Sequence, residues 1–172
     1  LSRFGLFRKE NDNPDFQNKN SKGSISGEGA SFFLLGREAV GAMAELKSFT
    51  TIYKPTDLAE VEIRIQQFLE EASVSMKDIS LVIDGRNGDA SHDETDRALS
   101  AGIFQNKPGF PFKTLCGEYP TASGFALWLG AALLSAQRIP DWFPPLHLPL
   151  KNILIHNHFQ HTHHSLFLIS AC

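Results

Sequence analysis

Residues 113–137 read KTLCGEYPTASGFALWLGAALLSAQ, and this stretch carries the strongest fold signal in the chain. The apolar run at 124–134 is far shorter than the ~20 residues that a membrane span requires. Its glycines and alanines suit close packing against a sheet or another helix. We therefore predict a buried helix over 121–137, preceded by a short segment that contains Gly117.

Strand and helix patterns alternate through the rest of the chain. Apolar and β-branched runs predict strands at 31–35, 46–53, 79–83, 110–115, 153–155 and 166–169. Helical spacing predicts a helix over 57–72 with Thr56 as its N-cap. A second helix is predicted to open on a capping box of Ser91 and Glu94 and to run to about Phe104. This order predicts an α/β fold with layered helices around a mixed, largely buried sheet.

Composition narrows the classes of function. The chain has 172 residues, of which 42% are hydrophobic, enough for one domain with a real core. A net charge of -3 gives no reason to expect a nucleic acid or a membrane surface as partner. Two cysteines, Cys116 and Cys172, cannot form a disulfide framework and predict a cytoplasmic setting. Because the first residue is Leu1 rather than methionine, we expect the chain to continue upstream.

Four segments share a pattern with one known family. They are GEGA at 27–30, DGRNGD at 84–89 with aspartates at 93 and 96, the stretch at 113–124, and the end of the chain from 157. In order and spacing they resemble the carboxy-terminal half of the β-ketoacyl synthase family, which has a thiolase-like fold. The resemblance implies a half-domain over 29–172. It also implies that 1–28 is a loop and connector from the amino-terminal half.

The same resemblance implies that no catalytic histidine is intact. Where the family has its His-Gly-Thr-Gly-Thr turn, Gly85 stands at the first histidine. Where it has Lys-Ser-x-x-Gly-His, Glu118 stands at the second. Lys113 and Glu28 match two residues that form a buried polar network in the family. The family's nucleophilic cysteine lies in the other half of its fold.

These two substitutions bear directly on the chemistry. The family's histidines stabilise the enolate that develops when malonyl-carrier protein loses carbon dioxide. Gly85 offers no side-chain donor, and an ionised Glu118 adds a like charge. Removing one such donor typically costs a factor on the order of 10²–10³ in rate. The resemblance therefore implies a subunit that does not condense.

The favoured interpretation is a chain-length-factor-like partner of an active ketosynthase in fatty acid or polyketide-type biosynthesis. The implied partners are the amino-terminal half, a ketosynthase or a second copy in a dimer, and an acyl carrier protein. No cofactor is implied. One alternative is an acyltransferase or synthase with altered chemistry whose cysteine lies upstream. Another is a diverged protein with an unrelated binding role.

The end of the chain departs most from the family. Asn157, His158, Phe159, Gln160 and His161 stand where the family has a glycine-rich turn, so we expect a different turn geometry. Five histidines cluster here, at positions 156, 158, 161, 163 and 164. Imidazole is a common zinc ligand, and a histidine could also replace the lost catalysts. We favour a turn that binds no metal, and an inert thiol at Cys116.

Overall fold

The computed structural model describes residues 7–8, 22–143 and 145–172. The loop and connector predicted over 1–28 therefore lies mostly outside the described residues. The strands are β1 (Glu45–Tyr53), β2 (Ile79–Asp84), β3 (Gly109–Pro111), β4 (Asn152–Phe159) and β5 (His163–Ser170). The helices are α1 (Leu58–Glu71), α2 (Asp93–Ala101), α3 (Lys113–Cys116) and α4 (Ala122–Ala136), and a 3₁₀ turn spans Met76–Asp78.

The five strands form one mixed sheet in the order β1-β5-β4-β2-β3. The pairs β1/β5 and β5/β4 are antiparallel, whereas β4/β2 and β2/β3 are parallel. Parallel strands end at the same edge, so the carboxyl ends of β2 and β4 lie side by side. The predicted α/β class and mixed sheet are confirmed.

Helices cover both faces of the sheet. On one face, α4 packs through Ala126, Leu129 and Leu133 against core residues that include Ile83 and Ile153. On the other face, α1 and α2 pack over a second core. Helices on both faces explain why the central strands are apolar on both sides.

A glycine sets the distance between α4 and the sheet. A Cβ added at Gly130 would lie 2.6 Å from Ile169 Cδ1 and 3.5 Å from Ile83 Cδ1. An added side chain would require at least the Ile169 side chain to shift. The predicted close packing of this helix through its small residues is confirmed.

Three predicted helix boundaries change by one or a few residues. Asp57, not Thr56, is the N-cap of α1, because its carboxylate accepts the Glu60 N–H at 2.9 Å. The capping box predicted for α2 is wrong: the Ser91 hydroxyl donates to Asp89 Oδ1 at 2.6 Å instead. The helix α2 also ends at Ala101, before the predicted end at 104.

Two predicted strands are wrong. Of the predicted strand at 110–115, only Phe110 and Pro111 pair with β2, and the chain then turns into α3. The segment 31–35 is not a strand and is exposed, with Phe32 95% exposed. An apolar run predicts burial only where some other element covers it. No helix of the described residues is long and apolar enough to cross a bilayer.

Candidate functional site

A cavity of about 420 Å³ lies beyond the carboxyl ends of β2 and β4. The loop after β2 contributes Asn87, the end of β4 contributes Asn157 and His158, and the turn after α3 contributes Glu118. Ligands of α/β proteins commonly bind at this edge of the sheet. The topology therefore brings two positions that are 31 residues apart, Asn87 and Glu118, into one site.

The place of a side chain at position 85 is occupied by Asn157. Gly85 is buried directly after β2. A Cβ built on it would collide with the Asn157 side chain and lie 3.0 Å from the Asn157 Cα. The Asn157 amide nitrogen donates to Ser123 Oγ at 2.9 Å, which holds the carboxamide there. A histidine at position 85 would therefore need Asn157 to move.

Glu118 is held by two donors on the same oxygen. Lys113 Nζ donates to Glu118 Oε2 at 2.7 Å, and Asn87 Nδ2 donates to it at 2.8 Å. The lysine side chain is 1% exposed and the glutamate side chain 17% exposed. A cation this deeply buried requires an ionised partner, which Glu118 supplies.

The predicted buried pair of Lys113 and Glu28 is corrected by this geometry. Glu28 is exposed, and Lys113 pairs with Glu118 instead. The turn containing Glu28 nevertheless packs closely against the cavity. The Gly27 N–H donates to the Glu118 carbonyl at 3.1 Å, and the Glu118 N–H donates to the Ile25 carbonyl at 2.8 Å. At Gly117, with φ +73°, an added Cβ would lie 2.8 Å from the Gly27 Cα.

The loop that carries Asn87 is anchored by the first residue of α2. Asp93 accepts the N–H groups of Asn87 at 2.8 Å and Gly88 at 3.2 Å. Burial raises the pKa of Asp93, against these two hydrogen bonds and the charge of Arg97. Asp93 thereby holds the backbone of Asn87 in place, and the Asn87 side chain in turn holds Glu118.

A buried cluster of one aspartate and three histidines lies beneath the cavity. Asp96 Oδ1 lies 2.7 Å from His156 Nδ1, and its other oxygen lies 3.3 Å from His158 Nε2. His156 Nε2 lies 3.0 Å from His164 Nδ1. Burial opposes ionisation of Asp96, but the hydrogen bonds and charges of His156 and His158 outweigh it and hold its pKa below the usual value.

The hydrogen bonds of this cluster predict where its ring protons lie. His164 Nε2 faces the His161 carbonyl at 3.2 Å, so a proton on this nitrogen would donate there and leave the other nitrogen of a neutral His164 to accept. In that arrangement His156 donates through Nε2 to His164 and through Nδ1 to the Asp96 carboxylate. The geometry therefore predicts a buried ion pair of Asp96 and His156.

The terminal turn differs from a glycine-rich turn through two left-handed residues. Gln160 has φ 51° and His161 has φ 55°. The His161 N–H approaches His158 Nδ1 at 3.4 Å, and His161 Nδ1 lies 2.7 Å from Thr95 Oγ1. Phe159 is exposed and, with Gln160, lines the cavity.

The remaining candidates are the histidines as metal ligands and the thiol of Cys116. Within residues 7–8, 22–143 and 145–172, no group of three or more histidine, cysteine or acidic side chains is placed to hold a metal ion. His156 and His158 instead contact Asp96, and His164 contacts His156. Cys116 is half-buried, and burial raises the pKa of its thiol, which disfavours the reactive thiolate.

The cluster predicts an acid-sensitive stability. Burial, with the charges of His156 and His158, lowers the pKa of His164 to about 4. As pH falls, His164 therefore binds its second proton in the unfolded chain before it does so in the folded protein. This lowers the free energy of unfolding as pH falls from about 6.5 towards 4. We expect His164→Gln to lose about 1–3 kcal/mol at neutral pH, through its lost hydrogen bonds, and to show a shallower decline in acid.

The measurement is the urea midpoint of the full-length protein at several pH values. The matched control is His163→Gln, because His163 is exposed next to His164. Taking each variant relative to the unchanged protein removes the opposing contributions of Asp84 and Asp93, whose pKa values burial raises. Equal pH slopes for the two variants would contradict the role given to His164.

Comparison with known proteins places this site in a familiar fold. No protein-family model matches the chain, and no curated protein matches it. Among solved structures, the ishigamide ketosynthase/chain length factor aligns over 99% of this chain and 49% of its own, with a TM-score of 0.74 at 15% identity. The chain has a thiolase-like fold.

Other structures of this thiolase-like fold agree. A type II polyketide synthase acyl-carrier protein in complex with its ketosynthase, AntDE:AntF, aligns over 76% of this chain and 39% of its own, with a TM-score of 0.62 at 16% identity. A β-ketoacyl synthase from Burkholderia phymatum aligns over 76% of this chain and 38% of its own, with a TM-score of 0.59 at 13% identity. The chain spans about half or less of these structures.

Two residues of this site had not been singled out from the sequence. Asn87 lies in the quoted 84–89 motif, but its contact with Glu118 depends on the fold. His92 precedes α2 and lines the cavity, half-buried, and burial lowers its pKa. Its position one residue before the aligned Asp93 was the available signal.

Proposed function

We propose that this chain is part of a synthase-like subunit that does not condense and that pairs with an active ketosynthase. Its role is that of a chain-length factor in fatty acid or polyketide-type biosynthesis. The observation that carries the proposal is the pairing of Glu118 Oε2 with both Lys113 and Asn87. A carboxylate fixed in this way disfavours any negative charge that develops nearby.

The second altered position supports the same proposal. Gly85 contributes no donor, and Asn157 fills the space where a side chain would lie. The Asn157 amide nitrogen donates to Ser123 Oγ, so this side chain is not positioned as a substitute for the lost imidazole donor. Both positions thus lack the imidazole donor that decarboxylation uses in the family that the chain resembles.

The exposed apolar surface supports a covering partner. Phe32, Leu34, Leu35 and Val40 are each more than three-quarters exposed, and Trp128 on α4 is 48% exposed. Surfaces of this kind are normally covered by another element. We assign the cover to the amino-terminal half of the same fold, and expect a dimer with a ketosynthase beyond it. An acyl carrier protein remains the proposed third partner, and a cytoplasmic location remains a prediction.

Co-expression tests the partnership. The full-length protein, tagged, is produced together with the ketosynthase encoded nearest to it, and the purified sample is analysed by size-exclusion chromatography with light scattering. We expect a one-to-one complex. We also expect that the ketosynthase without its partner is less active or makes products of altered chain length. A tagged, inactive bacterial ketosynthase from another pathway is the control. Separate elution, with full ketosynthase activity alone, would contradict the proposal.

A second candidate function follows from the imidazoles in the cavity. His92 and His158 line it with Glu118, so proton transfer from a new position would suit an acyltransferase with altered chemistry. The nucleophilic cysteine would then lie upstream. His158 is the weaker donor of the two, because its Nε2 faces Asp96. This candidate requires catalytic turnover by the subunit without a ketosynthase.

A further inference from the structure

Glu118 offers a carboxylate oxygen at the wall of the cavity. It uses Oε2 for both of its partners, and its Oε1 accepts no hydrogen bond from any described residue. Asn157 Oδ1 also lacks a partner among the described residues, but it is buried and faces position 85, so a ligand in the cavity does not reach it. Glu118 Oε1 is therefore the available carboxylate acceptor at a cavity where the resembled family places donors.

The donors close to these oxygens are already engaged. Asn87 Nδ2 donates to Glu118, and Asn157 Nδ2 donates to Ser123. Lys113 Nζ donates to Glu118 and is almost fully buried. The Arg86 guanidinium is bound to both oxygens of Asp84, at 2.7 and 2.8 Å. These internal hydrogen bonds position the side chains around Glu118.

The balance of charge favours a neutral molecule. Lys113 neutralises Glu118, so the pair attracts a donor through Oε1 without attracting a cation strongly. His92 adds no positive charge near neutral pH, because burial lowers its pKa. An anion would meet the Glu118 carboxylate, and no lysine or arginine is among the lining residues that the structure describes.

The apolar residues that line the cavity favour an apolar ligand. Phe7, Tyr119, Pro120 and Phe159 line the cavity, which is large enough, at about 420 Å³, for a ligand of drug-like size. Aromatic and proline rings pack against flat or aliphatic groups with little loss of side-chain entropy. The polar end of such a ligand would lie near Glu118.

We infer that this cavity binds a neutral, apolar molecule through a hydroxyl or amide N–H donor and discriminates against carboxylates and enolates. The inference deepens the proposed function and rests on it, because it concerns the same cavity. It adds the ligand class: the site that would stabilise an oxyanion in a condensing enzyme accepts a hydrogen-bond donor here.

Three probes of matched size test the preference. They are 4-phenylbutanol, 4-phenylbutanamide and 4-phenylbutyrate, each titrated into the full-length protein near neutral pH and followed by ligand-detected nuclear magnetic resonance. We expect the alcohol and the amide to bind at least about tenfold more tightly than the carboxylate, since like charges placed together are strongly disfavoured. The assay contains no ketosynthase, so failure to bind probes and failure to form the complex are separate results.

Glu118→Gln assigns the preference to one side chain. A carboxamide at 118 can offer an N–H, so we expect the disadvantage of the carboxylate probe to shrink to less than about threefold. Glu38→Gln is the matched control, because Glu38 is exposed and lies outside the cavity. If Glu118→Gln does not fold, the ranking of the three probes on the unchanged protein still decides.

Three results would overturn the inference. The first is binding of 4-phenylbutyrate as tight as that of the alcohol. The second is a donor preference that Glu118→Gln leaves unchanged. The third is no binding of any probe at millimolar concentrations.

Discussion

Asp96→Asn is expected to lower the free energy of unfolding by about 3–5 kcal/mol, the cost of removing one partner from a buried ion pair. His156 is fully buried and donates to Asp96 at 2.7 Å. An asparagine oxygen can still accept that proton, but it cannot balance the charge of the imidazolium. The loss should therefore exceed that of an ordinary hydrogen bond.

Urea unfolding of the full-length protein near neutral pH measures this effect. The control is Glu94→Gln in the same helix, where the side chain is exposed and a change within about 0.5 kcal/mol is expected. In a His156→Leu background, Asp96→Asn leaves no imidazolium at position 156 without a partner. The substitution should therefore cost much less there. A loss within about 1 kcal/mol of the control would mean that His156 is neutral and that the proton assignment is wrong.

Periodicity predicted most of the sheet and helices because each pattern reflects burial on a known side. The continuous apolar run at 79–83 became β2, covered on both faces, and the amphipathic run at 57–72 became α1. The pattern failed at 31–35 because an apolar run looks the same whether or not another element covers it. At 110–115 it failed because a strand of three residues and a short helix share one apolar stretch.

The spacing of motifs pointed to two positions, Gly85 and Glu118, whose surroundings meet at one cavity. Gly85 borders the Asn157 side chain, and Asn157 and Glu118 both line the cavity. What spacing could not give was the partner of each side chain. Lys113 meets Glu118 rather than Glu28, because the turn after α3 brings a carboxylate five residues away within 2.7 Å.

The buried histidine cluster was the least predictable feature. Successive side chains of a strand point to opposite faces, so His156 and His158 lie on one face. Their shared contact with Asp96, 60 residues from His156, depends on how α2 packs against the sheet. A histidine-rich segment read from sequence alone is equally compatible with a metal site, a turn or an internal ion pair.

Decarboxylation is expected to show the largest effect. Both histidine positions of the resembled family are replaced, and loss of a single oxyanion donor costs a factor on the order of 10²–10³. Glu118 adds a carboxylate that Lys113 and Asn87 keep in place. We expect the full-length protein to release carbon dioxide from malonyl-carrier protein at least about 10³-fold more slowly than an active ketosynthase.

The direct measurement is the rate of carbon dioxide release from malonyl-carrier protein, with the full-length protein and an active ketosynthase at equal concentrations. We expect the full-length protein to release carbon dioxide at close to the rate without enzyme. Release at the rate of the active ketosynthase would contradict the proposed loss of condensing chemistry. Loss of that activity in His92→Gln would then assign the chemistry to the imidazole at the cavity wall.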